Sequence, residues 1–327
     1  MLNGKAAEKR ISHELQEKIL KQVNMLGYRP NRIAQSLRTG KSNIIAMLVE
    51  GIADPFFSGI ARIIEQQAAE LDYKIFYAST ENDPQITKDL IRAFRDTQVD
   101  GYIIVPPPGI EEDIQALMDD KLPVIFFDRY FPGLLTYNVV VDNFDGVYQA
   151  MRHFFQNGYR QIGFVTIVSA QTQMRDRLNG YLYAINESTC TPYVKMLPFE
   201  LKTDQEKIIH EVRSFLEAHP QLDAVLFATN YLAISGLESI RSLQLRIPED
   251  IAVIGFDDNN HYSLFSPSIT AVAQPIREIS EHVIAHLMEC LAGKEKSPEQ
   301  KTIVLPTKLI IRASSQSHLF ISSNNQL

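Results

Sequence analysis

Short apolar runs alternate with amphipathic helical stretches along most of this chain, and this pattern limits the folds that it can adopt. Continuous runs, rather than alternating ones, indicate parallel strands that are covered on both faces. We predict strands at 43–49, 74–79, 101–105, 123–127, 161–167, 224–228 and 251–256. Helical stretches lie between them, for instance at 57–71, 110–119, 146–157 and 178–187. Strands that alternate with helices predict an α/β fold of doubly wound parallel sheets.

A coarse internal repeat suggests that there are two such sheets. The run NIIAMLV, a loop and a helix at 57–71 are echoed by QIGFVTI, a loop and a helix at 174–187. Two similar open sheets imply two lobes, and ligands of such sheets bind outside the carboxyl ends of the strands. We therefore expect a ligand site in the loops EGIADPFF, STEND, FDR, VSAQTQMRDR, ATN and FDDNN.

The amino-terminal head is basic, whereas the body is acidic. Residues 1–43 carry a net charge of +6, so the remainder must carry −13 of the total of −7. A basic head suggests a contact with a polyanion at that end, although a solvated charged helix would give the same charge pattern. Within the head, Ser12 can cap a helix that bears the apolar stripe Leu15, Ile19, Val23 and Leu26, a stripe that needs a partner surface.

Motifs of the common nucleotide-binding and hydrolytic enzymes are absent from the sequence, because GxGxxG after a strand, GxxxxGK[ST] and GxSxG do not occur. His282, His286 and Cys290 have a spacing that could present metal ligands on a helix. That helix already has an apolar stripe, and we expect the histidines to flank it. The carboxylates of Asp257 and Asp258 suit ligand binding better than acid–base catalysis. We therefore predict a protein that is not an enzyme and uses neither a metal nor a cofactor.

Cysteine content and the distribution of apolar residues indicate the cellular compartment of the protein. Two cysteines, Cys190 and Cys290, are too few for a disulfide framework. No stretch approaches the roughly 18 apolar residues of a membrane helix, and the start lacks the apolar run of a secretory signal. We expect a cytoplasmic protein without a membrane partner.

Eight blocks of sequence, in order, resemble the LacI/GalR family of repressors. They are LGYRPNRIAQSLRTGKSN, DPFF, VDGYIIVPP, PVIFFDR, RDRLNGY, DIAVIGFDD, SPSITAVAQP and LPTKLIIRAS. The resemblance implies a helix-turn-helix head, a hinge helix, and a two-lobed body similar to periplasmic sugar-binding proteins. It also implies a homodimer in which a ligand between the lobes changes the affinity for operator DNA. Family members have a recognition helix before the segment that matches residue 1, so the resemblance implies an amino-terminally truncated head, an all-helical remnant.

The same resemblance assigns DNA contacts to the hinge, where Leu37 matches an apolar wedge that is inserted into the minor groove. The alternative is that Ile33 and Leu37, four residues apart, dock on the body. The implied DNA-binding residues are Asn31, Arg32, Ala34, Gln35, Leu37 and Arg38.

In the cleft, aromatic side chains would offer a platform for a sugar ring, and polar side chains after the strands would bind its hydroxyl groups. The implied ligand-binding residues are Phe56, Phe57, Ser79, Asp128, Arg129, Gln171, Gln173, Arg177, Asn230 and Asp257. Two alternatives stay open: Phe57 can belong to the core, and Arg177 can cap a helix or pair with Asp176. Tyr231 departs from the family, which usually has Asp at this position, and this leaves the ligand class open.

The predicted organisation is a head at 1–42, a first lobe at 43–141 and 272–295, a second lobe at 142–271 and 296–315, and a tail at 316–327. The chain would cross between the lobes near Val141, Val272 and Lys296. The function implied is a ligand-responsive transcriptional regulator of a carbohydrate-utilisation operon, with operator DNA and a sugar as partners. The alternative is a stand-alone small-molecule binding or sensor protein.

Overall fold

The structure is a computed structural model that describes residues 12–27, 40–199, 204–259, 261–293 and 301–316. Two six-stranded sheets with helices on their faces make up the body, which confirms the predicted doubly wound α/β fold in two lobes. The six hinge residues predicted to contact DNA lie outside the described residues. Within the described ranges, no helix is long and apolar enough to span a membrane.

The head contributes one described helix, α1 (His13–Met25). Its amino-terminal end is capped as predicted, because the Ser12 Oγ accepts a hydrogen bond from the Leu15 backbone N–H at 3.4 Å. Gly27 follows the helix with a φ of 59°, a conformation that glycine adopts without steric cost. No residue of α1 is buried, so the apolar stripe that includes Leu15 has no covering surface within the described residues.

The first lobe is built on a sheet with strand order β11-β5-β4-β3-β1-β2 in which all pairs are parallel. Its elements are β1 (Ile44–Val49), α2 (Pro55–Glu70), β2 (Lys74–Ser79), α3 (Pro84–Asp96), β3 (Gly101–Ile104), α4 (Glu111–Asp119), β4 (Val124–Phe127), β5 (Tyr137–Val141), α9 (Ile276–Leu291) and β11 (Lys301–Leu305). Asp54 and Asp83 cap α2 and α3, and a proline occupies the first turn of each. Carboxylates accept from unpaired N–H groups there, and proline has no N–H to leave unpaired.

The second lobe repeats this plan, with strand order β12-β10-β9-β8-β6-β7 and one antiparallel pair, β10 with β12. Its elements are α5 (Asn143–Gln156), β6 (Ile162–Ile167), α6 (Thr172–Glu187), β7 (Tyr193–Leu197), α7 (Gln205–Ala218), β8 (Ala224–Phe227), α8 (Asn230–Ser242), β9 (Ala252–Phe256), β10 (Thr270–Ala273) and β12 (Lys308–Ile310). The matching strand orders account for the internal repeat in the sequence.

The chain crosses between the lobes three times, and one crossing differs from the sequence prediction. The first follows β5, which ends at Val141, and the second follows β10, which contains Val272 and ends at Ala273. The third lies between β11 and β12, so the boundary predicted near Lys296 is wrong. Because β11 pairs in parallel with β5, its side chains Ile303 and Leu305 pack on the core of the first lobe.

Candidate functional site

The carboxyl ends of the strands in both sheets face a cleft between the lobes. The free volume in the cleft is about 50 Å³, well below the roughly 300–1,000 Å³ of ordinary ligand pockets. The side chains from the two lobes therefore fill most of this space themselves, and they must part for a sugar-sized molecule. The lining residues are Glu50, Asp54, Phe56, Phe57, Asp128, Arg129, Ile167, Gln171, Gln173, Met174, Arg177, Phe199, Thr229, Asn230, Tyr231, Asp257 and Gln274.

Two aspartates, Asp128 after β4 and Asp257 after β9, occupy equivalent places in the two lobes. Both have a left-handed backbone, with φ values of 68° and 70°, which is uncommon outside glycine but less so for Asp and Asn. Burial raises the pKa of Asp128 to about 6, although the nearby guanidinium groups of Arg129 and Arg177 lower it. Burial also raises the pKa of Asp257, which Arg177 and a hydrogen bond from Gln274 partly offset. The two carboxylates are thus held in a polar site that is largely shielded from solvent.

Arg129 binds three groups of its own lobe. Its Nη1 donates to the Glu50 carboxylate at 2.8 Å, its Nη2 to the Asn82 side-chain oxygen at 2.9 Å, and its Nε to the Pro106 carbonyl at 3.0 Å. The side chain is almost fully buried. These bonds fix the loops after β1, β2 and β3 relative to one another.

Arg177, on α6, plays the corresponding part in the second lobe. Its Nε donates to the Asn143 side-chain oxygen at 2.8 Å and its Nη1 to the Ala228 carbonyl at 2.7 Å. The guanidinium lies 3.6 Å above the Phe256 ring centroid and 4.0 Å from the Asp257 carboxylate. The alternative in which Arg177 pairs with its neighbour Asp176 is not observed, because Asp176 contacts Arg175 instead.

Hydrogen bonds between described side chains run across the cleft and join the lobes, and three of them are the following. The amide of Asn230 donates to the Asp54 carboxylate at 3.1 Å, and the amide of Gln171 donates to the Asn82 oxygen at 2.8 Å. The third runs from the Gln173 amide to the Asp128 carboxylate at 3.3 Å. A molecule that enters the cleft must replace or rearrange these contacts. The groups that could bind it are therefore already arranged on both sides.

Nine of the ten residues predicted from the sequence to bind ligand line the cleft. The exception is Ser79, whose Oγ accepts a hydrogen bond from the Ile52 backbone N–H and which lines a neighbouring cavity. Phe57 lies in the cleft wall and also in the core, with its ring 6.2 Å from that of Phe127. Phe57 therefore belongs both to the hydrophobic core and to the cleft wall.

The sequence prediction missed several residues of the cleft and its support. Asp54 begins the block DPFF and Glu50 directly follows β1, so their position after a strand could have identified both. Asn82 likewise lies in the loop STEND after β2, where a site was expected. Gln274 was less accessible to sequence reasoning, because it follows β10, a strand that was not predicted and whose pairing with β9 brings Gln274 to Asp257.

His286, one of the possible metal ligands on α9, makes contacts with other side chains. His286 is buried and its ring stacks on Tyr137 at a centroid distance of 3.2 Å. Its Nδ1 lies 3.4 Å from the Glu289 carboxylate. Over the described ranges, no group of three or more His, Cys, Asp or Glu side chains is placed to hold a metal ion.

Comparison with known proteins gives the same picture as the fold. A family model of the periplasmic binding protein-like domain matches residues 151–315. The HTH-type transcriptional regulator KdgR of Bacillus subtilis is 28% identical over 315 residues, which cover 96% of this chain and 91% of that protein. The HTH-type transcriptional repressor PurR of Photobacterium profundum is 27% identical, over 93% of this chain and 90% of that protein.

A solved structure has the same fold. It is a periplasmic binding protein/LacI transcriptional regulator from Alkaliphilus metalliredigens, solved as a complex with D-xylulofuranose. It is 21% identical with a TM-score of 0.72, and the match covers 84% of this chain and all of that one. The chain therefore belongs to the periplasmic binding protein-like domain family, and it is a relative of the LacI-type regulators that its sequence resembles.

Proposed function

We propose that this protein is a ligand-responsive transcriptional regulator of a carbohydrate-utilisation operon, with a sugar bound between the lobes. The observation that carries the proposal is the set of buried polar side chains that both lobes contribute to one cleft. A ligand that contacts both lobes binds the closed arrangement better than an open one. Such differential affinity is what allows a ligand to shift a conformational equilibrium.

The chemistry of the cleft favours a neutral, hydroxyl-rich ligand. Among the described residues of the cleft, the charged side chains are four carboxylates and two guanidinium groups, namely Glu50, Asp54, Asp128, Asp257, Arg129 and Arg177. Both guanidinium groups already bind protein groups, so an anionic ligand would meet excess negative charge. The side-chain oxygens of Gln173 and Gln274 are buried acceptors without a hydrogen-bond partner among the described residues. Sugar hydroxyl groups can donate to such acceptors and to carboxylates.

Calorimetry with a panel of sugars tests this proposal. The panel contains D-glucose, D-galactose, D-xylose, cellobiose, maltose, lactose and D-glucose 6-phosphate. We expect a neutral sugar to bind and the phosphate not to bind. Asp257→Ala should weaken binding of that sugar by about 2–5 kcal/mol, because the buried polar group that Asp257 binds is left unpaired.

Asp258→Ala is the matched control. Asp258 is the next residue along the chain, but it pairs with Arg312 at 2.8 and 2.9 Å and does not line the cleft. We expect this variant to bind the sugar as the unmodified protein does. Equal affinity of the Asp257 and Asp258 variants would contradict the proposed cleft.

The DNA-binding role is part of the same proposal and has its own test. The named relatives are transcriptional regulators, and the hinge sequence 31–38 supplies the predicted contacts with DNA. We propose that the protein acts as a homodimer, because a two-fold operator calls for paired heads. Mobility shift with the DNA upstream of the protein's own gene, at two salt concentrations and with and without the sugar, measures operator binding. If a form of the protein with a complete helix-turn-helix head binds the sugar but shows no salt-dependent operator binding, the protein is instead a sensor.

A further inference from the structure

A second, larger cavity adjoins the cleft. Its volume is about 610 Å³, against about 50 Å³ for the cleft. The two spaces share three lining residues, Asp54, Asn230 and Tyr231. The hydrogen bond between Asp54 and Asn230 therefore lies in the wall between them. One ligand could occupy both spaces once this wall parts.

The walls of the second cavity are amphipathic. Apolar surface comes from Ile52, Ala53, Pro55, Ile208 and Ile234. Polar side chains that can bind hydroxyl groups come from Ser79, Glu81, Gln205 and Asn259. Among the described lining residues there is no lysine or arginine, and the carboxylates of Asp54 and Glu81 disfavour a phosphate or a carboxylate on the ligand. Apolar surface beside hydrogen-bonding groups matches a sugar ring, which has C–H faces and hydroxyl edges.

Ile52 is the most informative residue of this wall. It is 40% exposed and lies in the turn before α2. Its own lobe therefore buries only part of this apolar side chain. The Ser79 Oγ accepts a hydrogen bond from its backbone N–H at 3.0 Å and so fixes the turn against β2. Ser79, the predicted ligand residue that does not line the cleft, thus supports this second space.

We infer that the protein binds a neutral disaccharide, with one ring in the cleft and the second ring in the cavity lined by Ile52 and Ile234. This inference rests on the proposed function and specifies its ligand. The glycosidic link would pass between the Asp54 carboxylate and the Asn230 amide. The small cleft takes a single ring when the lobes part, whereas the larger cavity has the volume for another.

Calorimetry on an Ile52→Trp variant tests this assignment. For the disaccharide of the panel that binds, we expect at least tenfold higher affinity than for its constituent monosaccharides. The introduced indole ring would occupy the part of the cavity beside Asp54, where the second ring would enter, so the variant should lose this gain while its affinity for the monosaccharide stays within twofold. The matched control is Ile86→Trp, because Ile86 on α3 is 41% exposed and lines neither space. It should leave both affinities unchanged, and circular dichroism checks that both variants are folded.

The outcomes separate the two proposals. If no sugar of the panel binds, the proposed function and the disaccharide assignment both fail. If monosaccharides bind and no disaccharide binds more tightly, or if Ile52→Trp leaves the disaccharide affinity unchanged, only the second-ring assignment is wrong. A gain seen with p-nitrophenyl glycosides but not with disaccharides would also overturn it, because the cavity would then take an apolar substituent.

Discussion

At the scale of single residues, the cleft depends on charges that the fold has removed from water. Asp128 and Asp257 end equivalent strands in a conformation that few residues adopt, and each faces a buried guanidinium group. An uncommon backbone conformation of this kind is often retained where a side chain must point into a site. The burial of Asp128 has a cost in stability that depends on pH.

Asp128→Asn should therefore stabilise the protein at neutral pH. The pKa of Asp128 is raised from 3.8 to about 6 in the folded protein. The folded protein therefore favours the protonated, uncharged carboxyl, and this contribution to the free energy of unfolding is complete below about pH 4. That contribution is lost as the pH rises through 6. We expect the variant to exceed the unmodified protein by roughly 1–3 kcal/mol in free energy of unfolding above pH 7.

Urea unfolding at several pH values between 4 and 8 measures this difference, which should shrink towards pH 4. Glu65→Gln, which removes an exposed carboxylate of α2, is the control and should show little pH-dependent difference. A difference between Asp128→Asn and the unmodified protein that is constant from pH 4 to 8 would contradict burial as its cause.

At the scale of elements, the close packing of α5 against α6 positions Arg177. Gly180 on α6 faces the Phe144 carbonyl oxygen of α5, and a Cβ at Gly180 would lie 2.5 Å from it. Phe144 directly follows Asn143, which accepts the hydrogen bond from the Arg177 Nε. A glycine in the middle of a helix thus allows the approach that holds the guanidinium in the cleft.

Gly180→Ala should destabilise the protein even though alanine favours helices by roughly 1 kcal/mol. The clash with backbone forces the helices apart at a cost of about 1–3 kcal/mol or more. Gly59→Ala on α2 is the control, since its Cβ would meet only Ile276 at 3.4 Å, an ordinary contact. Thermal unfolding should show a lower midpoint for Gly180→Ala and an equal or higher one for Gly59→Ala. The reverse order would exclude helix separation as the reason for this glycine.

The segment between the head and the first lobe is held by hydrogen bonds to the residue that precedes β3. The Asp100 carboxylate, just before β3, accepts hydrogen bonds from the Ser42 N–H at 2.8 Å and from the Ser42 hydroxyl and the Asn43 N–H, both at 2.9 Å. These bonds fix the chain at the start of β1, next to the exposed Lys41.

Asp100→Ala should therefore speed tryptic cleavage after Lys41 by at least about tenfold. Each hydrogen bond to a charged group contributes roughly 1.5–3 kcal/mol, and cleavage follows the population of the locally opened segment. Mass spectrometry of timed digests measures the rate. Asp100→Asn, which keeps one acceptor oxygen, should give an intermediate rate. Equal rates for all three proteins would show that the carboxylate does not hold this segment.

At the scale of the whole molecule, the two lobes have separate cores. The buried core of the second lobe lies within 147–272, whereas the two core clusters of the first lobe come from 45–141 and 276–305. The lobes are joined by three chain crossings and by the three hydrogen bonds across the cleft. Such contacts are weak compared with a core, so each lobe is a potential unit of unfolding.

Differential scanning calorimetry should therefore resolve two unfolding transitions, which merge when a bridging sugar is added. Binding at 100 times Kd stabilises the closed form by about 2.7 kcal/mol, and this gain is lost when either lobe unfolds. Asp257→Ala, which we expect to weaken binding of the sugar, should restore the two transitions at the same sugar concentration. A single transition without sugar would show that the lobes already unfold together.

The fold class follows from the sequence alone, because apolar runs and helical stripes are local patterns that decide which face of each element is buried. The sequence also located most of the cleft, since parallel strands bring their carboxyl ends to one edge of each sheet. Seven strands were predicted, and the five that were missed, β5, β7, β10, β11 and β12, include edge strands and short strands whose pairing is set by distant segments.

Which side chains meet in the cleft depends on tertiary packing. The Asp54–Asn230 contact joins residues 176 positions apart, and the Asn82–Gln171 contact joins residues 89 apart. The third crossing, after Leu305, likewise depends on the pairing of β11 with β5. Local periodicity carries no information about such partners, because hydrogen bonds between lobes depend on how two completed sheets are oriented. The sequence thus identified the polar groups at the strand ends, and the packing of the two lobes selected their partners.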